Sequence, residues 1–261
     1  MILCGGRGKR LGLLGERLPK TLVEVHGRPL LWYVFIRLYV AGYRHFILPL
    51  GYRGDLIQGF IDRTLTDFEA RIDAIPTGDD TEIAQRLDRV SHLLPRTSFL
   101  LINGDTLFDS DVGEVASEHD RSGSDITLTS CAAISQFGLL VLDRDRVVDF
   151  TRESLVESYR LRHQGRLRRA YVNSGIAVIS TPALRYIDLA KASNFEVEFY
   201  SRVIELGTVR HQSIDGYWFA IDTPKDLEIA NAGKVGNPLS DGALALFEKL
   251  TTAETAILGP A

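Results

Sequence analysis

The chain has 261 residues, of which 45% are hydrophobic, 25% charged and 9% aromatic, and its formal net charge is −4. That balance belongs to a globular protein with a core of its own, and the acidic charge counts against a general nucleic-acid binder. No apolar run approaches the ~18 residues of a membrane span, and the apolar start Met1-Ile2-Leu3-Cys4 breaks at once into Gly5-Gly6-Arg7, so neither a span nor a signal peptide is read. Cys4 and Cys131 are isolated thiols with no C-x-x-C or metal-ligand spacing, which points to a reducing compartment, the cytoplasm.

In chain order, residues 2–4 read as a strand running into a glycine loop. Residues 29–41 (PLLWYVFIRLYVA) read as a buried helix with Pro29 in its first turn and Gly42 just past its end. Residues 45–50 follow as a strand, and 55–63 carry apolar residues at helical spacing. Residues 99–103, 126–132, 138–142, 172–180 and 218–221 are further strands, and 243–250 is a last helix. No repeat or linker interrupts this order. Strands alternating with helices predict a Rossmann-like three-layer α/β/α fold with a mostly parallel central sheet. We expect one domain over residues 1–235, a polar and irregular flap inserted near 144–170, and a helical tail over 236–261.

The loop Gly5-Gly6-Arg7-Gly8-Lys9-Arg10-Leu11 follows the first strand directly. Glycines let backbone N–H groups approach a phosphate, and Lys9 and Arg10 add positive charge. The dinucleotide spacing G-x-G-x-x-G fails by one residue, because Leu11 stands where the third glycine belongs, and the Walker pattern is absent. An NAD(P) oxidoreductase is therefore disfavoured. A nucleoside-triphosphate loop of the G-G-x-G-x-R-L type fits, and a plain tight turn from strand to helix is the other reading.

After this loop come Pro19-Lys20 and Val23-Glu24-Val25-His26-Gly27-Arg28-Pro29-Leu30. Together these spaced motifs resemble the sugar-1-phosphate nucleotidyltransferases, whose pattern is G-G-x-G-x-R-[LM], then P-K, then V-x-x-G-x-P-[LIM] leading into a helix. The resemblance spans about residues 1–232 and implies a GT-A-like fold that makes nucleotide-linked sugars of the kind used for cell-surface polysaccharide. It places Arg10 and Lys20 on the triphosphate, with Leu3, Cys4, Gly5, Gly6, Gly8 and Lys9 around the nucleotide. Lys9 is a departure, since the family usually has Thr there.

The resemblance also implies a magnesium ion held by Asp105, in Asn103-Gly104-Asp105, and by Asp222, in Trp218-Phe219-Ala220-Ile221-Asp222-Thr223. Two carboxylates at strand ends can share a hard cation with phosphate oxygens. The plainer readings are an Asx-type turn at Asp105 and a helix N-cap at Asp222.

The stretch from Thr77-Gly78 through Thr81 to Arg86-Leu87-Asp88-Arg89-Val90 is similar to that of the glucose-1-phosphate cytidylyltransferases, which favours CTP. Arg86 would then donate to the cytosine carbonyl; alternatively it lies on a solvated helix face. Ala84-Gln85 replace the family's paired glycines. On the acceptor side the resemblance places Phe137, Gly138, Glu153, Asn173, Ser174, Gly175 and Trp218. Ser154-Leu155 replace the family's Lys-Pro, and Arg160, Arg162, Arg166, Arg168 and Arg169 follow. These arginines read as a solvated helix face or as a substitute for the lost lysine on the acceptor phosphate.

The expected reaction is transfer of a nucleoside monophosphate from an NTP to a phosphorylated small metabolite. Guanylyl or thymidylyl transfer to a sugar 1-phosphate is the nearest alternative. A non-catalytic nucleotide-binding regulatory module is the alternative of another class. No nucleic-acid or membrane partner is expected, and a homo-oligomer is compatible with the sequence. The six histidines show no ligand spacing and read as structural or surface residues.

Overall fold

The computed structural model describes residues 1–135, 137–151, 154–232 and 237–259. A five-stranded sheet runs in the order Ile2–Leu3, Ser98–Asn103, Val172–Ser180, Ile126–Cys131, Val209–Ser213. A parallel pair, His45–Leu50 with Arg71–Pro76, continues it through the bridge between Cys4 and Leu50. Val172–Ser180 runs against both of its neighbours, and the other pairings along this row are parallel. The predicted α/β sheet is therefore mostly parallel, with one reversed strand.

Successive strand side chains point to opposite faces, and here both faces are buried. Leu100, Ile102, Ile176 and Val178 join one apolar cluster, together with Trp32, Phe35, Phe60 and Leu246. Their alternates Phe99, Leu101, Ala177 and Ile179 join a second cluster with Leu87, Phe195 and Phe199. Helices thus cover the sheet on two sides, which makes three layers.

The helix Leu30–Val40 begins after Pro29, which serves as its N-cap, and nine of its eleven side chains are buried. A helix apolar all round belongs in a core, as its sequence implied. The helix Gly54–Thr64 matches the predicted 55–63. The last helix is longer than expected, Pro238–Leu258, and it is part of the core rather than an appendage. Its Glu254 accepts hydrogen bonds from Trp32 Nε1 at 2.7 Å and Arg28 Nη2 at 2.8 Å. Polar threonines and alanines between its apolar positions had hidden its length.

Two strands of this row went unread, as did the short Thr106–Phe108. Arg71–Pro76 and Val209–Ser213 are outer strands with mixed or polar sequences, so the alternation that marks a half-buried strand is weak in both. Among its described residues, the segment expected as an irregular flap is regular instead. It forms two hairpins, Leu139–Asp143 with Arg146–Thr151 and Tyr159–His163 with Arg166–Ala170. Neither reading of the arginine stretch had it on a β-ribbon. Arg160 pairs with Arg169 and Leu161 with Arg168 across the second hairpin, and all five arginines are exposed.

Candidate active site

The parallel strands Ile2–Leu3 and Ser98–Asn103 end side by side, with Leu3 opposite Asn103. The chain must turn there in little space. A Cβ on Gly104 would lie 2.7 Å from the Leu3 carbonyl oxygen and 2.8 Å from Thr21 Cγ2, so only glycine fits. Asp105 follows and starts a short ribbon. Thr106–Phe108 pairs antiparallel with Trp218–Ala220, Ala220 facing Thr106, and Ile221 N donates to Asp105 O at 3.2 Å. That register delivers Asp222 beside Asp105.

Asp222 is free to face the site because its neighbour takes the capping role. Thr223 is the N-cap of the helix Pro224–Asn231 and exchanges hydrogen bonds with Asp226 in a capping box. Asp226 Oδ2 also accepts from the Asp222 backbone at 3.1 Å. The N-cap alternative for Asp222 is thus off by one residue.

Lys20 closes the cluster. It opens a 3-10 turn, Lys20–Leu22, and its Nζ lies 2.6 Å from Asp105 Oδ2 and 2.5 Å from Asp222 Oδ1. Arg10 Nη2 lies 3.0 Å from the same Asp222 oxygen. The Lys20 side chain is only 11% exposed, so this cation is largely withdrawn from water and spent on two carboxylates. Among the described residues no group of three or more His, Cys, Asp and Glu side chains gathers as a metal centre. The two aspartates share the Lys20 ammonium, and Asp222 also meets Arg10.

A cleft of about 550 Å³ opens from Asp105 along the glycine loop. Leu3, Gly5, Gly6, Gly8, Lys9, Thr81, Arg86 and Gly104 line it as the sequence reading placed them. Gly8 adopts φ 61°, a conformation that favours glycine, and a Cβ on Gly6 would meet open space. Three expected lining residues, Cys4, Thr77 and Gly78, do not line it. The Cys4 thiol points to the Ile2 carbonyl at 3.4 Å, and burial pushes its pKa far above the ordinary thiol range. Thr77 is fully buried, and its hydroxyl donates to Leu50 O at 2.7 Å. Gly78 takes φ 86° in the turn that follows.

Arg86 corrects one of its two sequence readings. It is 4% exposed, so it does not sit on a solvated face. Its terminal N–H groups donate to Leu50 O at 3.2 Å, Thr77 Oγ1 at 2.7 Å, Gly5 O at 3.3 Å and Asp79 O at 3.3 Å. These contacts are all within the protein, while the residue still lines the cleft. A Cβ on Gly5 or on Gly51 would collide with the guanidinium, so these two glycines make room for it. Burial, reinforced by neighbouring Arg89, lowers its pKa. The side chain ties the glycine loop to the ends of two neighbouring strands.

The acceptor-side residues divide. Trp218 Nε1 donates to Ser174 O at 2.9 Å, and Gly175 takes φ 73° with Asn103 packed where its Cβ would be. These contacts bring Trp218, Ser174 and Gly175 to the strand end that holds Asp105. The Ser174 hydroxyl, however, is buried and paired with Thr129. Asn173 is exposed, its Oδ1 accepting from Gly175 N at 3.2 Å. Phe137 and Gly138 lie at the foot of the first hairpin, where Gly138 packs under Phe150, and they do not line the cleft. Glu153 lies outside the described residues. The sequence reading missed Arg7, Asp79, Asp80, Glu82, Ile83, Asn103 and Glu196, which also line the cleft. Most of them sit inside motifs already singled out, at positions those motifs leave variable.

The family model described as "Nucleotidyl transferase" matches residues 1–233. The chain belongs to the nucleotidyl transferase family. A glucose-1-phosphate cytidylyltransferase of Salmonella typhimurium (strain LT2) is 27% identical to this nucleotidyltransferase over 247 residues, covering 87% of this chain and 91% of the relative. A mannose-1-phosphate guanyltransferase of Debaryomyces hansenii is 26% identical over 232 residues, covering 87% of this chain and 61% of the relative. Among solved structures, HddC from Yersinia pseudotuberculosis complexed with GMP-PN superposes with a TM-score of 0.64 at 22% identity, covering 88% of this chain and 96% of the other. That likeness establishes the fold that this nucleotidyltransferase shares. No helix among its described residues is long and apolar enough to cross a membrane.

Proposed function

We propose that this nucleotidyltransferase transfers a nucleoside monophosphate, CMP by preference, from its triphosphate to a sugar 1-phosphate or similar phosphorylated metabolite, with magnesium. The observation that carries this is the convergence of Lys20, Asp105 and Asp222 at the end of a glycine-lined cleft. The names of the cytidylyl and guanylyl relatives support a nucleoside triphosphate and a sugar 1-phosphate as the substrates.

The donor set suits the proposed metal. Two carboxylates that already converge on one cation are what magnesium uses beside phosphate oxygens and water. Asp105 and Asp222 would hold it, and when bound it would offset charge on the phosphates.

The chemistry needs no protein nucleophile. The acceptor phosphate is already ionised and attacks the α-phosphorus in line, so a new P–O bond forms, the bond to the β-phosphate breaks, and pyrophosphate departs with the electron pair. The protein holds the two reactants in line and meets the charge that spreads over the α-phosphate. In this proposal Arg10 and Lys20 supply that positive charge, and the backbone N–H groups of the glycine loop cradle the phosphates. Arg86 acts behind the loop as a tie rather than on the base.

The test is pyrophosphate release in the presence of magnesium, with each of four NTPs against hexose 1-phosphates, heptose 1-phosphates and small non-sugar phosphates. Release with CTP and one acceptor is the expected result. Release only with GTP would assign the guanylyl reaction. No release with any pair would overturn the catalytic proposal and favour a nucleotide-binding regulatory module.

A further inference from the structure

Arg7 occupies the position that the glycine-loop motif leaves unspecified, and the mechanism above gives it no task. Its guanidinium Nη2 lies 2.7 Å from Asp80 Oδ1, 73 residues away, and both residues line the cleft. The pair therefore spans from the phosphate side of the cleft to the loop before the helix Ile83–Val90.

The platform under Arg7 is fixed. Its guanidinium lies over the Tyr52 ring, 5.0 Å from the centroid, and the Tyr52 hydroxyl donates to Glu16 O at 2.8 Å. Arg53 Nη1 donates to Arg17 O at 2.6 Å beside it. The flanks are two glycines, of which Gly8 is held by the hydrogen bond from Leu11 N to its carbonyl at 2.8 Å. Gly6 has nothing within reach of a Cβ, and Gly8 sits at a positive φ. The ion pair is itself exposed, with side-chain exposures of 41% and 85%. Such a pair contributes little to folding stability and breaks easily. An arginine held on an aromatic shelf, between two glycines and paired across a cleft, has the mechanical features of a strap.

We infer that Arg7 and Asp80 form a strap over the nucleotide cleft that retains the bound triphosphate and must open for exchange. The inference rests on the proposed function for its ligand but not on which base is used. Opening breaks one exposed ion pair, so its loss should speed nucleotide release about fivefold, which at about 1.4 kcal/mol per tenfold is about 1 kcal/mol.

The experiment is stopped-flow release of ribose-labelled CTP and GTP from the magnesium-containing enzyme, without acceptor, for the wild type, Arg7→Ala, Asp80→Ala and the double variant. We expect each single variant to release about fivefold faster, the double variant to match the singles, and 0.5 M salt (on the order of a 4 Å screening length) to bring the wild type close to them. Faster release in Arg7→Ala with slower release in Asp80→Ala would overturn the strap, because Arg7 would then be a phosphate ligand that Asp80 restrains. Unchanged release in either single variant would also overturn it. If the wild type binds neither label, the proposed function falls together with the strap; if it binds and only the variants fail to differ, the strap alone falls.

Discussion

Lys20 and Asp222 are 202 positions apart in sequence and 2.5 Å apart in space. Because the same ammonium also holds Asp105 at 2.6 Å, Lys20 is the counter-charge that lets two carboxylates stand together. Two carboxylates gathered on one ammonium repel each other once it is removed. Lys20→Met should therefore lower stability by about 1–3 kcal/mol, and adding Asp222→Asn should recover much of the loss. Urea unfolding of the single and double variants checks this, and equal stability of Lys20→Met and wild type would refute it.

The proposed function has the same three residues set the rate. Asp105→Asn and Asp222→Asn should each lower kcat by several orders of magnitude (on the order of 10³) while the fold survives. Lys20→Ala should slow the transfer step in a single-turnover assay. Normal turnover by both asparagine variants would remove the metal proposal, and an unchanged single-turnover rate would take Lys20 away from the α-phosphate.

Arg86 makes a different kind of prediction. Four of its N–H groups are used inside the protein, so Arg86→Met would leave the buried Gly5 carbonyl without this donor and cost about 1–3 kcal/mol. Binding of CTP, GTP, UTP and dTTP should weaken by a common factor, because the defect lies in the wall that supports the glycine loop. Competition titrations of the four nucleotides decide the matter. A selective loss of CTP alone would restore the base-reading role.

His119 is buried, and its ring nitrogens lie 3.0 Å from Thr127 Oγ1 and 3.1 Å from Ser180 Oγ. Burial lowers its pKa from the ordinary 6.5, against a smaller opposing pull from Asp120 and Asp125. The folded state thus prefers neutral imidazole. Its contribution to stability is fully present above about pH 6.5 and is lost as the pH falls through the depressed folded-state value. Thermal melts from pH 7.5 down to 5 should show a decline that His119→Gln reduces. A variant with the wild-type slope would exclude this histidine as the cause.

The last helix supplies a fourth stability test. Removing residues 238–261 uncovers Trp32, now fully buried, and deprives its indole N–H of Glu254. A truncated chain should melt at least several degrees lower, on the order of the shift that 1–2 kcal/mol produces in a chain of this size, with Trp fluorescence shifted to the red. Unchanged melting and emission would show the helix to be dispensable.

How much of this was legible beforehand depended on the kind of signal. Local chemistry was readable wherever it is local. The glycine loop, Pro19-Lys20, the helix after Pro29 and the short apolar strands all carry their reason within a few residues, through φ freedom, charge or burial periodicity. The outer strands Arg71–Pro76 and Val209–Ser213 and the arginine hairpin were not readable. Their polar sequences bury little, so the pattern that reports burial is faint.

By itself, then, the sequence determined the fold class, the nucleotide-type loop and the pair of acids worth testing. Only the tertiary structure decided what those residues do for one another. It set Asp222 beside Asp105 by passing the N-cap to Thr223, and it buried Arg86 as a tie behind the glycine loop. It also paired Arg7 with Asp80 across the cleft. The reason is physical. A side chain's hydrogen bonds and charge partners are set by which strand ends the sheet brings together, and that depends on register and topology across many tens of residues, which no local spacing encodes.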